Sequence, residues 1–174
     1  MSLLPQRQAP ATRRLLRAEV VRNERTSEHF VTITLGEPEL AGFPPPGRDQ
    51  SGARQLIAAD ESGVPAALAV LESAPADLVV TVFLEVPAKS DVREVGAPSG
   101  VDVQWLVREN GARPGQPALA ELTHAALPAP DYAWIAGESG LVTGARRFLN
   151  RERGVPKSAI AFVGYWRRGW SAPG

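Results

Sequence analysis

Apolar positions change their rhythm once along this chain, and the change divides it in two. From His29 to Leu35 (HFVTITL) they alternate, with Phe30, Thr32 and Thr34 on one side and Val31, Ile33 and Leu35 on the other, the period of two that belongs to a strand with unlike faces. Leu15–Asn23 (LLRAEVVRN) reads as a partner strand, joined across Asn23–Glu28 by a loose hairpin connection. Gly36–Gln50 (GEPELAGFPPPGRDQ) is a loop, because three successive prolines forbid a helix or a central strand. From residue 51 onward the chain alternates between strand and helix patterns. Gln55–Ala59 is a short apolar strand, followed by a helix over Val64–Leu71 that opens with Gly63 and Pro65; proline costs little in a first turn, where its missing N–H has no partner anyway. Leu78–Val86 (LVVTVFLEV) is a nearly continuous β-branched run, as expected of a parallel strand buried on both faces. Val101–Val107 predicts a strand, Pro117–Leu127 a helix, Tyr132–Ala136 a strand, Leu141–Glu152 a helix and Ala159–Gly164 a last strand. The expected fold is therefore α/β, a parallel sheet flanked by helices, preceded by a two-stranded β element. The boundary falls between residues 1–50 and 51–174.

Charge and composition narrow the chemistry. Lys+Arg and Asp+Glu both number 19, so the chain is formally neutral; that argues against bulk nucleic-acid binding, which needs a net basic field, but leaves room for a local basic pocket. The chain has no cysteine, which excludes disulfides, thiol catalysis and thiolate metal sites. His29 and His124 lie far apart and in no metal-ligand spacing, so both read as structural. No run approaches the ~20 apolar residues of a membrane span, and the opening MSLLPQRQAPATRRLLR lacks a secretory apolar core. A cytoplasmic protein is the expectation.

Three turns could carry ligand chemistry, since open α/β sheets bind at the carboxyl ends of their strands. In the turn after the first sheet strand, Asp60-Glu61-Ser62-Gly63-Val64-Pro65, Ser62 and the Gly63 backbone could donate to a phosphate at a helix N-terminus; equally, this is a capped strand–helix turn. At Ala136-Gly137-Glu138-Ser139 a glycine at a strand end lets a ligand or another backbone approach, while Glu138 and Ser139 could instead serve the following helix start. Gly164-Tyr165-Trp166-Arg167-Arg168-Gly169 pairs aromatics with guanidiniums, suited to a stacked anion or to ordinary packing and surface charge. Glu85 stands where a carboxylate can bind a ribose hydroxyl. Arg146 and Arg147 read as surface charge, with Arg146 a candidate for the 2′-phosphate of NADPH. Trp105 reads as core.

The run AGES, then Arg146-Arg147-Phe148-Leu149, then GYWRRG resembles the C-terminal signature of siderophore-interacting proteins, which are NAD(P)H- and FAD-dependent ferric-siderophore reductases related to ferredoxin reductases. AADESGVPA is similar to that family's GDETALPA, with Asp60, Glu61, Ser62 and Pro65 in register and Ala59 replacing a glycine. The resemblance implies that this turn, with Gly63, contacts the pyridine nucleotide. It implies that Ala136, Gly137, Glu138 and Ser139 lie on the nicotinamide side, and that Glu85 (in VLEV-like FLEV) and Arg108 (W-x-x-R) lie on the adenosine side. Tyr165 and Trp166 would border the flavin, and Arg167 and Arg168 would attract an anionic ferric siderophore. In such a reaction nicotinamide supplies a hydride and flavin divides it into single electrons for Fe(III), which requires no acid–base residue of the protein.

Residues 51–174 resemble the family's NAD(P)H-binding domain throughout. Residues 1–50 resemble only the opening of its FAD-binding barrel, through two strands and LAGFPPPGRDQ (family form L-x-x-F-x-x-x-x-x-D-Q); the family's flavin motif R-x-Y-T-x-R does not occur. Two strands cannot close a barrel, and a lone hairpin is marginal in water. The hairpin is thus expected either to dock on its own α/β domain or to pair with a second copy in a homodimer. The alternative function is a non-catalytic nucleotide-binding or protein-interaction domain without flavin.

Overall fold

The computed structural model describes residues 18–36, 53–109 and 111–170. In chain order these form β1 (Glu19–Arg25), β2 (Val31–Gly36), β3 (Arg54–Ala59), α1 (Val64–Glu72), β4 (Val79–Val86), β5 (Val101–Val107), α2 (Gln116–His124), β6 (Tyr132–Glu138), α3 (Ser139–Arg151) and β7 (Ile160–Trp166). The first residues of the expected N-terminal strand and the proline loop with its family-like LAGFPPPGRDQ lie outside the described residues.

β3 to β7 make one five-stranded sheet in the order β5-β4-β3-β6-β7, with every neighbouring pair parallel. The order reverses between β3 and β6, the crevice where open α/β sheets take their ligands. Alternation along β3 decides which face each residue serves. Leu56 and Ala58 point into a core with Phe83, Ile135 and the inner stripes of α2 (Ala118, Leu122) and α3 (Leu141, Ala145, Leu149). Ile57 and Ala59 point the other way, into a core with Val80, Val82, Leu84 and α1 (Val64, Ala67, Leu68, Leu71). The continuous run over β4 follows from that placement: it pairs on both edges and is covered on both faces, so Val82, Phe83, Leu84 and Val86 are fully buried.

Several boundaries shift by one to a few residues from the sequence expectation, β1 running to Arg25 and β7 to Trp166, and two of the shifts have local reasons. α2 ends at His124, short of Leu127: Ala125 is already extended (φ −61°, ψ 128°), and Leu127 precedes Pro128, which disfavours helical backbone. β6 runs on through Gly137 to Glu138 and α3 starts at once at Ser139, so no separate loop intervenes.

β1 and β2 pair antiparallel with an irregularity between Val20 and Arg22. The strands carry exposed apolar side chains, among them Val21 (61%) and Ile33 (55%), so the ribbon is uncovered along its length. Its turn is anchored. The buried Asp91 carboxylate accepts hydrogen bonds from Ser27 Oγ (2.6 Å), the His29 backbone N–H (3.2 Å) and the Ala88 N–H (3.1 Å), and meets the His29 ring Nδ1 at 2.8 Å. Burial pushes Asp91 up, but these bonds together outweigh it and hold its carboxyl below the ordinary value of 3.8. Phe30 packs on the α1-side core beneath the Arg93 guanidinium, 5.5 Å from the ring centre. His29 is thus a docking residue. His124 sits at the end of α2 with Nδ1 2.6 Å from the Ala120 carbonyl, and Trp105 packs on the α1-side core.

Candidate functional site

Three carboxylates stand at the carboxyl ends of β3, β4 and β6, and each gathers backbone N–H groups from the turns around it. Asp60, fully buried, follows β3. Its Oδ1 accepts from the Ser62 N–H (3.0 Å) and Ser62 Oγ (2.6 Å), and its Oδ2 accepts from the Glu138 N–H at 2.6 Å. The Asp60 carbonyl takes the Gly63 and Val64 N–H groups at 2.8 and 3.0 Å. This corrects the expectation that Ser62 and Gly63 offer donors to a phosphate: the N–H groups of Ser62, Gly63 and Val64 are spent on Asp60, and Pro65 has none. Gly63 is needed for a different reason, because a Cβ there would lie 2.9 Å from the Ala136 carbonyl oxygen and from the Ala59 Cβ.

Glu85, near the end of β4, is also fully buried. It accepts the Gly115 N–H (2.9 Å) and Arg108 Nε (2.8 Å) on Oε1, and the Ala118 N–H (3.1 Å) on Oε2. Burial raises its pKa above the ordinary 4.5, against the lowering pull of the Ala118 and Gly115 N–H groups and Arg108. Glu85 therefore seats the first turn of α2, and both its oxygens are engaged inside the protein instead of facing a ribose. Arg108 bridges Glu85 and Glu61; burial disfavours its charge, yet the two carboxylates outweigh that and raise its pKa.

Glu138 caps α3, its Oε2 accepting the Gly140 N–H and its Oε1 the Arg168 N–H at 3.2 Å. Ser139 is not the cap; its hydroxyl donates to the Trp166 carbonyl at 2.9 Å and ties α3 to the end of β7. Gly137 has φ 139°, and a Cβ on it would come within 2.5 Å of the Asp60 carboxyl carbon. Ala136, Gly137 and the Asp60–Gly63 turn thus form one tightly packed corner at the strand-order reversal.

These three acidic residues take up several of the N–H groups at the helix starts, and side chains bring further positive charge to this end of the sheet. A cleft of roughly 510 Å³ opens between the beginnings of α2 and α3, lined by Arg113, Gly115, Gln116, Glu138, Leu141 and Arg168 among others. Neither the Arg113 nor the Arg168 guanidinium has a hydrogen bond or ion pair among the described residues. Arg167 faces Trp170 instead, 5.7 Å from its ring centre. Tyr165 is half exposed and Trp166 partly so, at the rim of the same sheet end. Arg113, Gly115 and Gln116 were not legible as site residues; the signal was the arginine and glycine turn ARPGQP immediately ahead of α2, with Gly115 in the left-handed region at φ 78°. Arg146 is held elsewhere: its guanidinium stacks 4.4 Å over Phe162, between α3 and β7. Among the described residues no group of three or more His, Asp or Glu side chains gathers as a metal site, and no helix is long and apolar enough to cross a membrane.

Comparison with known proteins decides the family. The model of the family described as siderophore-interacting protein matches residues 52–169. The chain belongs to the siderophore-interacting protein family. An uncharacterized protein of Mycobacterium tuberculosis is 36% identical over 148 residues, covering 79% of this chain and 51% of that one. The ferric vibriobactin reductase ViuB of Vibrio cholerae is 34% identical over 119 residues, covering 66% of this chain and 43% of ViuB. Among solved structures, a siderophore utilization protein from T. fusca superposes with a TM-score of 0.60 at 37% identity, over 68% of this chain and 46% of that one. This siderophore-interacting protein therefore spans about half the length of the curated relatives it matches.

Proposed function

We propose that residues 51–174 are the NAD(P)H-binding part of a flavin-dependent ferric-siderophore reductase, and that residues 1–50 are the remnant of its flavin-binding barrel. The observation that carries this reading is the cleft at the carboxyl end of the sheet, beside the reversal of strand order, with two guanidiniums on its walls that have no partner among the described residues. Its volume falls within the ~300–1,000 Å³ typical of small-molecule sites. A dinucleotide phosphate suits Arg113 and Arg168, since planar guanidiniums bind phosphate oxygens bidentately. The likeness to ViuB supports the ferric-siderophore substrate and the release of iron by reduction.

The roles divide accordingly. Arg113 and Arg168 hold phosphate, with Arg168 also near enough to the Tyr165–Trp166 rim to attract an anionic ferric complex together with Arg167. Asp60 and Gly137 hold the β3 and β6 ends at a fixed separation. Glu61 and Glu85 orient Arg108 and the start of α2. Nicotinamide would supply the hydride, and the protein's share is placement. For flavin the described residues provide an edge at Tyr165 and Trp166 but no enclosing cradle, so no flavin step is assigned to them.

The experiment is the visible spectrum of the purified protein with and without added FAD, followed by NADPH. Bound flavin that bleaches with NADPH supports the reductase reading, and no bound flavin at saturating FAD removes it. The uncovered β1–β2 ribbon favours a second reading, a nucleotide-binding module without turnover. In that case NADPH raises the melting temperature in the absence of any flavin spectrum, because a ligand that binds only the native state stabilises it. A dimer through β1 and β2, read by sizing chromatography, fits the first reading if the second copy supplies cover for the ribbon.

A further inference from the structure

On the far side of α3, away from the cleft, positive charge is concentrated without balance. Residues 146–157 carry Arg146, Arg147, Arg151, Arg153 and Lys157 against Glu152 alone, in a chain whose 19 basic and 19 acidic residues cancel. Four of these cations, Arg146, Arg147, Arg151 and Lys157, line a single recess of roughly 270 Å³ between α3 and β7, and no carboxylate lines it with them. None of the four has an ion pair or hydrogen bond among the described residues. Arg147 and Arg151 are also spaced i, i+4 on α3, where like charges destabilise a helix.

The recess is organised as well as charged. The Arg146 guanidinium carbon sits over Phe162, 4.4 Å from the ring centre. That cation–π contact restrains the side chain, so less of its freedom remains to be lost on binding. Asn150 donates from its side-chain amide to the Val155 carbonyl at 2.8 Å, which fastens the turn after α3 that leads to Lys157, a lining residue of the recess with Arg151. The recess shares no lining residue with the cleft described above.

We propose that this recess between α3 and β7 is a second anion site, which takes a compact phosphate-class oxyanion with two or more charges. Its volume lies below that of sites for drug-sized ligands, about 300 Å³ and upward. That suits a phosphate or diphosphate group rather than an entire dinucleotide or a ferric chelate. Forked donors on Arg146 and Arg151 with a point charge at Lys157 match the oxygens of such a group.

The test is calorimetric titration of the full chain with inorganic pyrophosphate at about 0.15 M salt, where interactions between exposed charges are already screened beyond ~8 Å. Saturable binding is expected. The double variant Arg151→Gln/Lys157→Gln should weaken it by about tenfold or more, the range of losing charge-assisted contacts. Arg146→Lys should weaken it too, since it keeps the charge but loses the stacked fork. An Arg113→Ala/Arg168→Ala variant should retain this binding, which separates the recess from the nucleotide cleft. Unchanged melting curves without ligand would show that the variants are folded. The proposal is overturned if pyrophosphate gives no saturable heat, if the Arg151→Gln/Lys157→Gln variant binds as the wild type does, or if polyglutamate binds the patch and pyrophosphate does not.

Discussion

Asp60 Oδ2 accepts the backbone N–H of Glu138 at 2.6 Å, a bond across 78 residues of sequence that closes the gap between β3 and β6 where the strand order reverses. The same carboxylate is fully buried and takes the Ser62 N–H and hydroxyl on its other oxygen. Asp60→Ala would leave the Ser62 and Glu138 N–H groups without their acceptor. The expected loss is about 1–3 kcal/mol, the cost of leaving partly buried donors unpaired, read as a lower urea midpoint with an unchanged slope. A change within experimental scatter would mean that the corner is held by other contacts.

Gly137→Ala tests the same corner from the opposite side. The new Cβ would meet the Asp60 carboxyl carbon at 2.5 Å from a backbone at φ 139°. Strain and overpacking each cost about 1–3 kcal/mol, so the variant should be at least as destabilised as Asp60→Ala. Because both residues serve one contact, the double variant should cost less than the sum of the two.

Glu85 makes a prediction in pH. Its folded-state pKa is raised above 4.5, chiefly by burial. Between its unfolded and folded values the native state binds the extra proton, so its contribution to stability falls as pH rises through that window. Glu85→Gln removes the titration while keeping an acceptor for one of the α2 N–H groups. The stability of wild type minus that of Glu85→Gln should therefore decrease as pH is raised from 4 toward neutrality, measured by urea unfolding at successive pH values on the scale of the ordinary carboxylate pKa of about 4.3. A difference that grows with pH contradicts the assigned direction.

Asp91 behaves in the opposite sense. Its folded-state pKa lies below 3.8, because hydrogen bonds from Ser27, His29 and Ala88 outweigh burial. Its stabilisation is present above 3.8 and is lost as pH falls through the lower folded value. At neutral pH, Asp91→Ala should release the β1–β2 hairpin from the α/β domain. Trypsin should then cut faster at Arg22 and Arg25, while hydrogen exchange in β3, β4 and β6 stays slow. Equal cleavage rates in the two proteins would show that the other contacts, Phe30 on the α1-side core and Ser90 Oγ donating to Glu28 at 3.1 Å, hold the hairpin.

Local pattern carried most of the fold. The unbroken β-branched run over β4, the alternation over β2 and the strand–helix–strand rhythm from β3 onward each identified an element, because side-chain period follows directly from backbone geometry. The GYWRRG and AADESGVPA segments carried the family resemblance, and the family match over residues 52–169 agrees with it. The electrostatics of the site were less legible. Whether a helix-start N–H is free depends on distant acceptors: Glu85 reaches Gly115 and Ala118 from 30 and 33 residues away, and Asp60 reaches Glu138 from 78. Motif logic counted Ser62 and Gly63 as donors for a ligand, whereas packing turned them toward Asp60 and left Arg113 and Arg168 as the exposed cations. Arg146, read from sequence as surface charge with the 2′-phosphate as a candidate partner, lies over Phe162 on the other side of α3 from the cleft.

The most direct test of the account is calorimetric titration with NADP⁺ of the wild type and of Arg113→Ala/Arg168→Ala, with melting curves to confirm that both are folded. Saturable binding by the wild type is expected, with at least a tenfold loss in the variant, about 1.4 kcal/mol or more for two charge-assisted phosphate contacts. Equal binding by the two proteins, or none by the wild type, would contradict the assignment of the cleft between α2 and α3 as the nucleotide site.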